Sequence, residues 1–308
     1  MADNAGMSGT DGLEYRTLDV AGVRRGYWVA RALGGNGAPG ALLVVLHGSG
    51  TSGKDVATFF SGLAGRGPEA GVSVVFPDGW GGVWHIARAP AGEPGLDDVA
   101  FLRDLVQQLG ATSVVLAGLS NGAGFAEHVA RHGLLPVAGL FLVAGTFREF
   151  SRQAQPVPRQ RTAVTIMSGT GDRAVNYYGG PLRAPGVIGL IMRRRAARHG
   201  DLPSERRVAP VEGVALDWAA GNGIGGDPDA EPLPGAPADP PVTRLTWSAP
   251  GCLPVVLYRI EGGGHGWPGG PQYLPARVIG PVPRHLDATG ILLEMVATVG
   301  DAGPLASA

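Results

Sequence analysis

Five consecutive residues, Gly118-Leu119-Ser120-Asn121-Gly122, set a serine between two glycines at GxSxG spacing. A serine hydroxyl attacks a carbonyl only when it is held exposed beside a base. A sharp strand-to-helix turn holds it so, and the flanking glycines are needed where a Cβ would meet neighbouring backbone. The apolar run Ser113–Ala117 before the pentapeptide has strand character, and Gly122–His132 after it has helical spacing. Ser120 is the candidate nucleophile.

The serine needs an imidazole base and the base an orienting carboxylate, in the chain order serine, acid, histidine. Of seven histidines, His265 stands in the glycine-rich stretch Glu261–Gly270, just past the apolar run Val255–Ile260. Loops at the carboxyl ends of strands are where open α/β sheets present reactive groups, so His265 is the candidate base. His128, His132 and His199 fall on helices, His47 and His85 precede the serine, and His285 opens the last helix as a cap. Asp172 closes Ser168-Gly169-Thr170-Gly171-Asp172 after the run Ala163–Met167 and is the candidate acid; Asp201 and Asp217 share its interval with weaker strand signals. Asp97 and Asp98 precede the serine and read as helix caps.

Serine attack on a carbonyl leaves an oxyanion, which backbone N–H groups stabilise. One comes from the residue after the nucleophile, Asn121, and one from a loop after an early strand. That loop is Leu46-His47-Gly48-Ser49-Gly50, with Ser49 as the expected donor and Gly48 next to it. The chemistry calls for no metal and no cofactor. The chain has no HExxH spacing, and Gly53-Lys54-Asp55 lacks the phosphate-loop pattern.

The elements that must position these residues follow from periodicity. Leu13–Val20 and Val23–Ala30 alternate around Ala21-Gly22 and predict an antiparallel hairpin. Nearly continuous apolar runs at Ala41–Leu46, Val72–Phe76, Ser113–Ala117, Leu140–Val143, Ala163–Met167 and Val255–Ile260 predict strands covered on both faces. Helices are expected at Asp97–Leu109 (with Val99, Leu102, Leu105 or Val106, and Leu109 inward), Gly122–His132, Ile188–His199 and Leu286–Val299. This alternation predicts an α/β fold with a mostly parallel central sheet and helices on both faces. Residues 1–12 are expected as a disordered leader, 13–300 as a single domain, and 301–308 as a tail. Within the domain, 201–243 is expected as a loop-rich insertion, with Gly221–Pro241 as a surface loop or flap over the site.

With 44% hydrophobic and 17% charged residues, the 308-residue chain has ample material for a core. A formal net charge of -1 gives no field for nucleic acid or an anionic membrane. The basic run Arg193-Arg194-Arg195, with Arg198, reads as a solvated helix face. The one cysteine, Cys252, has no intramolecular disulfide partner. No basic and apolar leader opens the chain and no run approaches a membrane span, so the expected location is the cytoplasm unless a leader has been removed.

The chain resembles the polyhydroxybutyrate depolymerase-like esterases, a group that includes feruloyl and acetylxylan esterases. The resemblance rests on LHGSGTSG at 46–53, VVFPDG at 74–79, DDVAFLRDLV at 97–106, GLSNGAGFA at 118–126, SGTGDRAVNYYGG at 168–180 and EGGGHGWPGG at 261–270. It implies an α/β-hydrolase fold, a triad of Ser120, Asp172 and His265, and Trp267 near the acyl pocket. It also implies hydrolysis of short-chain, aryl (feruloyl-type) or hydroxyalkanoate esters, with a small or oligomeric ester as the substrate partner and the oligomeric state left open. A peptidase, an acyltransferase and an inactive polymer- or carbohydrate-binding relative are the alternatives. The family pairs the cysteine at the position of Cys252 with one in an Asn-Gly-Cys segment. Here that segment reads Arg198-His199-Gly200-Asp201, and 202–243 is longer than the family pattern.

Overall fold

The computed structural model describes residues 12–33, 42–85, 96–146, 157–181 and 207–301. The N-terminal hairpin forms where alternation placed it: β1 (Leu13–Val20) pairs antiparallel with β2 (Val23–Ala30), with Val20 opposite Val23. Ala21 and Gly22 both take positive φ, 49° and 84°, as a two-residue turn matched to strand twist requires.

The strands β3 (Leu42–Leu46), β4 (Val74–Pro77), β5 (Val114–Leu119), β6 (Val137–Val143) and β7 (Ala163–Gly169) follow. Two-residue strands β8 (Gly180–Pro181) and β9 (Arg207–Val208) make a separate ladder. Then come β10 (Asp229–Leu233), β11 (Val242–Trp247) and β12 (Val255–Ile260). Among the described residues the main sheet has ten strands in the order β1-β2-β4-β3-β5-β6-β7-β12-β11-β10. Its centre, from β4 to β12, is parallel, and each edge is antiparallel.

Helices cover both faces. On one side lie α2 (Asp98–Gln108), α3 (Asn121–Arg131) and α4 (Val211–Gly221), joined to the sheet by Phe101, Leu105, Phe125, Val129 and Trp218. On the other lie α1 (Leu63–Glu69) and α5 (Ala288–Asp301), with Phe60, Leu63, Leu292 and Val296 inward. The inward stripe of α2 is Phe101, Leu102, Leu105 and Val106, one position around from the expected stripe; Val99 and Leu109 are only partly buried.

The described part of the expected insertion, 207–243, departs from expectation. It holds α4, β9, β10 and the start of β11 rather than loop alone, and β10 adds an exposed edge to the sheet inside the expected flap. The signal was present in the sequence. Val211, Val214, Ala215, Trp218 and Ala219 recur at helical spacing and are all buried. The expected helix Ile188–His199, its arginine run, most of the leader and the tail lie outside the described residues.

Candidate active site

The sheet's topology makes a crevice before any side chain is considered. After β3 the chain runs to one side into β4, then crosses back to place β5 on the other side of β3. Ligands bind outside the carboxyl ends of strands where the order reverses in this way. The loop His47–Gly50 leaves β3 there, and Ser120 leaves β5.

Ser120 sits at φ 56° and ψ -115°, a strained conformation for a residue with a side chain. Packing enforces it. A Cβ on Gly118 would lie 2.4 Å from the Gly122 carbonyl carbon, and one on Gly122 would lie 2.5 Å from the Leu46 carbonyl oxygen. The Ser120 N–H donates to the Val143 carbonyl at 2.8 Å, tying the turn to β6. The strain turns Oγ out of the strand end and towards a base.

That base is His265. Its Nε2 lies 3.0 Å from Ser120 Oγ, and its Nδ1 lies 2.7 Å from Asp172 Oδ2. The two loops carrying them are pressed together. The Gly171 N–H donates to the Gly263 carbonyl at 3.0 Å, and a Cβ on Gly169 would meet that carbonyl oxygen at 2.1 Å. The other carboxylate oxygen of Asp172 accepts from the Ala174 and Val175 N–H groups at 2.7 and 2.8 Å. Burial pulls the His265 pKa down, but the charge and hydrogen bond of Asp172 outweigh it and hold the imidazole above its usual range. The structure thus brings together the three residues that sequence singled out.

Asn121 is the first residue of α3, so its N–H has no acceptor within the helix. The loop after β3 passes over the nucleophile: a Cβ on Gly48 would sit 3.5 Å from the Ser120 Cβ. Ser49, next in that loop, is half-buried. Trp267 is packed inside, 1% exposed, with its indole N–H donating to Thr289 Oγ1 at 3.0 Å. Together with Phe60 and Thr289 it walls a cleft of about 290 Å³ that is lined by none of Ser120, Asp172 and His265, so this cleft does not make Trp267 part of a pocket at the serine.

Several buried residues around this site escaped sequence reasoning. Asp97 does cap α2, accepting from the Val99 and Ala100 N–H groups. Asp98 does not; its carboxylate is fully buried, paired with Arg25 at 2.5 Å and with the His85 ring at 3.1 Å. A buried acid looks like a cap in sequence because its partners come from distant strands and loops. His47 is fully buried between backbone groups, and burial keeps its pKa below the usual imidazole range. His285 does not cap the last helix, which starts at Ala288; its Nδ1 rests on Asp239 at 3.0 Å. Asp217 lies on α4, 3.4 Å from Arg131. Among the described residues no group of His, Cys, Asp or Glu is arranged to hold a metal ion, and no helix is long and apolar enough to cross a membrane.

No family model matches the chain. Among solved structures it is similar to the acetyl xylan esterase from Aspergillus awamori, with a TM-score of 0.53 at 13% identity, covering 82% of this chain and 94% of that one. The fold is that of an α/β-hydrolase. Among curated sequences it is 28% identical over 298 residues to the protein named "Putative esterase NocK" of Nocardia uniformis subsp. tsuyamanensis. That match covers 91% of this chain and 81% of the relative.

Proposed function

We propose that this α/β-hydrolase is a carboxylic ester hydrolase that works through an acyl-enzyme on Ser120. The observation that carries the reading is the continuous contact from Ser120 Oγ to His265 Nε2 (3.0 Å) and from His265 Nδ1 to Asp172 Oδ2 (2.7 Å). His265 takes the serine proton as Oγ attacks the ester carbonyl, and Asp172 holds the ring in the tautomer that leaves Nε2 free to accept it. The N–H groups of Asn121 and Ser49 receive the oxyanion. The protonated His265 then gives its proton to the leaving alcohol, and water releases the acid by the same steps in reverse. Trp267 backs the His265 loop from inside.

The relative carrying an esterase name and the fold shared with an acetyl xylan esterase support esters over other acyl compounds. Short-chain, aryl and hydroxyalkanoate esters are the candidate substrates, small or oligomeric.

The test compares wild type with Ser120→Ala on p-nitrophenyl esters of increasing chain length, methyl ferulate and hydroxybutyrate oligomers. The expected result is a loss in kcat on the order of 10⁴ or more, with the wild-type profile naming the substrate class. Equal, slow rates for both proteins on every ester would overturn the reading. Peptide substrates and competing alcohol acceptors distinguish a peptidase or an acyltransferase.

A further inference from the structure

The residue after a nucleophilic serine needs only its backbone N–H to serve an oxyanion, and any side chain would leave that N–H in place. Here the side chain is a buried carboxamide, 3% exposed on Asn121. It does not bond to its own helix. Its Oδ1 accepts from the Trp84 N–H at 2.7 Å, and its Nδ2 donates to the Trp84 carbonyl at 3.1 Å. Burying an amide is unfavourable unless both ends are satisfied, and one residue's backbone satisfies both.

Trp84 ends a segment, Asp78–Trp84, that is bonded along its length to the loop after β3. The Gly79 N–H donates to His47 Nε2 at 2.9 Å, and the Gly50 N–H donates to the Gly82 carbonyl at 2.7 Å. The Trp84 indole N–H donates to the His47 carbonyl at 3.0 Å. His47 Nδ1 faces the Gly48 carbonyl at 2.8 Å, so the ring is a neutral Nδ1–H tautomer with Nε2 accepting. Trp84 itself is fully buried and stacked on Phe125 of α3, rings 5.3 Å apart and 8° from parallel. Beyond it, the His85 N–H donates to Asp98 at 2.8 Å, which anchors the segment on α2.

Pairing of β3 with β5 fixes the two strand ends as far as Leu46 and Gly118, and beyond them the loop holding Ser49 and the helix start holding Asn121 diverge. We infer that the Asn121 carboxamide, through its two-bond clamp on Trp84, is the positioning group that sets the two oxyanion donors at working distance. This rests on the ester-hydrolase reading above. Asn121 thus acts twice: its N–H serves the oxyanion, and its side chain holds the segment bonded to the loop that carries the opposite donor. A misplacement on the scale of 1 Å in such a site lowers the rate about 100-fold.

The test is Asn121→Ala, which keeps the N–H and deletes the clamp, assayed beside Ser120→Ala on p-nitrophenyl acetate. The expected result is a fall in kcat of about 100-fold with KM within about threefold. The inhibition constant of a phenylboronic acid, whose tetrahedral adduct uses both donors, should rise by a similar factor. Fluorophosphonate titration should still count a full complement of sites. Asn121→Asp is the second variant, usable if the alanine protein does not fold. Its ionised carboxylate has no proton for the Trp84 carbonyl, so its activity relative to wild type should recover as pH falls and the acid regains one. An Asn121→Ala kcat within about threefold of wild type would overturn the inference. So would an unchanged boronate constant, a loss explained by fewer titratable sites, or an Asn121→Asp ratio flat with pH. If wild type and Ser120→Ala are equally slow, the hydrolase reading fails instead, and the two failures are told apart.

Discussion

Among the described residues two histidines at the carboxyl edge of this sheet rest Nδ1 on a fully buried aspartate, and the proposed function gives proton transfer to one pair alone. His265 lies 2.7 Å from Asp172, and His85 lies 3.1 Å from Asp98. The difference is in what holds the second oxygen. Asp172 gives it to two backbone N–H groups, Ala174 and Val175, which carry no net charge. Asp98 gives it to the Arg25 guanidinium at 2.5 Å, itself packed 4.3 Å over the Phe101 ring. A carboxylate steadied by dipoles keeps its full charge for the imidazole; one neutralised by a guanidinium serves as an anchor. The ring's other nitrogen completes the contrast, since His265 Nε2 faces Ser120 Oγ. On the proposed function, two similar pairs therefore divide into a reactive one and a structural one.

The largest expected break in that comparison is kinetic. Asp172→Asn should lower kcat by about 10⁴, as loss of the orienting acid permits the wrong tautomer. Asp98→Asn, the same chemical change, should lower it by no more than about tenfold, through the anchoring of Asp78–His85. Comparable losses in both variants, measured on one ester at saturation, would erase the division.

Stability should invert the ranking. Arg25→Met removes the guanidinium and leaves Asp98 charged with 0% of its side chain exposed. Breaking a buried pair from one side costs about 3–5 kcal/mol, and urea unfolding should show a loss of that size. The double variant Arg25→Met with Asp98→Leu should recover much of it, because the stranded charge is gone. A single-variant loss under about 1 kcal/mol would show that the pair is not an anchor, since that is the range of exposed ion pairs.

The contact of His265 with Asp172 was legible in sequence and that of Arg25 with Asp98 was not, for a physical reason. Ser120, Asp172 and His265 each follow an apolar strand, and strand ends are readable from local runs. Arg25 and Asp98 are 73 residues apart, and each looks locally ordinary, a strand arginine and a helix-start acid. Tertiary pairing alone makes them a unit. The same distinction runs through the fold. The β1–β2 hairpin matched its alternation to the residue, whereas α4 was missed because its five inward residues are spread among small and polar ones within a Gly- and Pro-rich neighbourhood. Asn121 was legible only as a backbone donor, and its side-chain clamp on Trp84 carried no recognisable signal, because a bond between a side chain and a distant backbone has no sequence period.

The smallest effect is the most diagnostic, because pH should move activity and stability in opposite directions. Catalysis needs neutral His265, so kcat/KM should rise as pH passes upward through its pKa, which Asp172 holds above the ordinary imidazole value. Stability follows the opposite sign. A pKa raised on folding contributes stability that is fully present below the unfolded value and is lost as pH rises through the folded one. One group releasing one proton limits the slope to about 1.4 kcal/mol per pH unit. The activity midpoint and the upper end of the stability change should therefore fall at the same pH, since both report one ring. Asp172→Asn sharpens the comparison. With the carboxylate charge gone, burial acts alone on His265, so the midpoint of the residual activity should move to lower pH. Asp98→Asn should leave that midpoint where it is, because its charge is committed to Arg25 and reaches a different imidazole. A midpoint that moved with Asp98 and not with Asp172 would reverse the assignment of the two pairs.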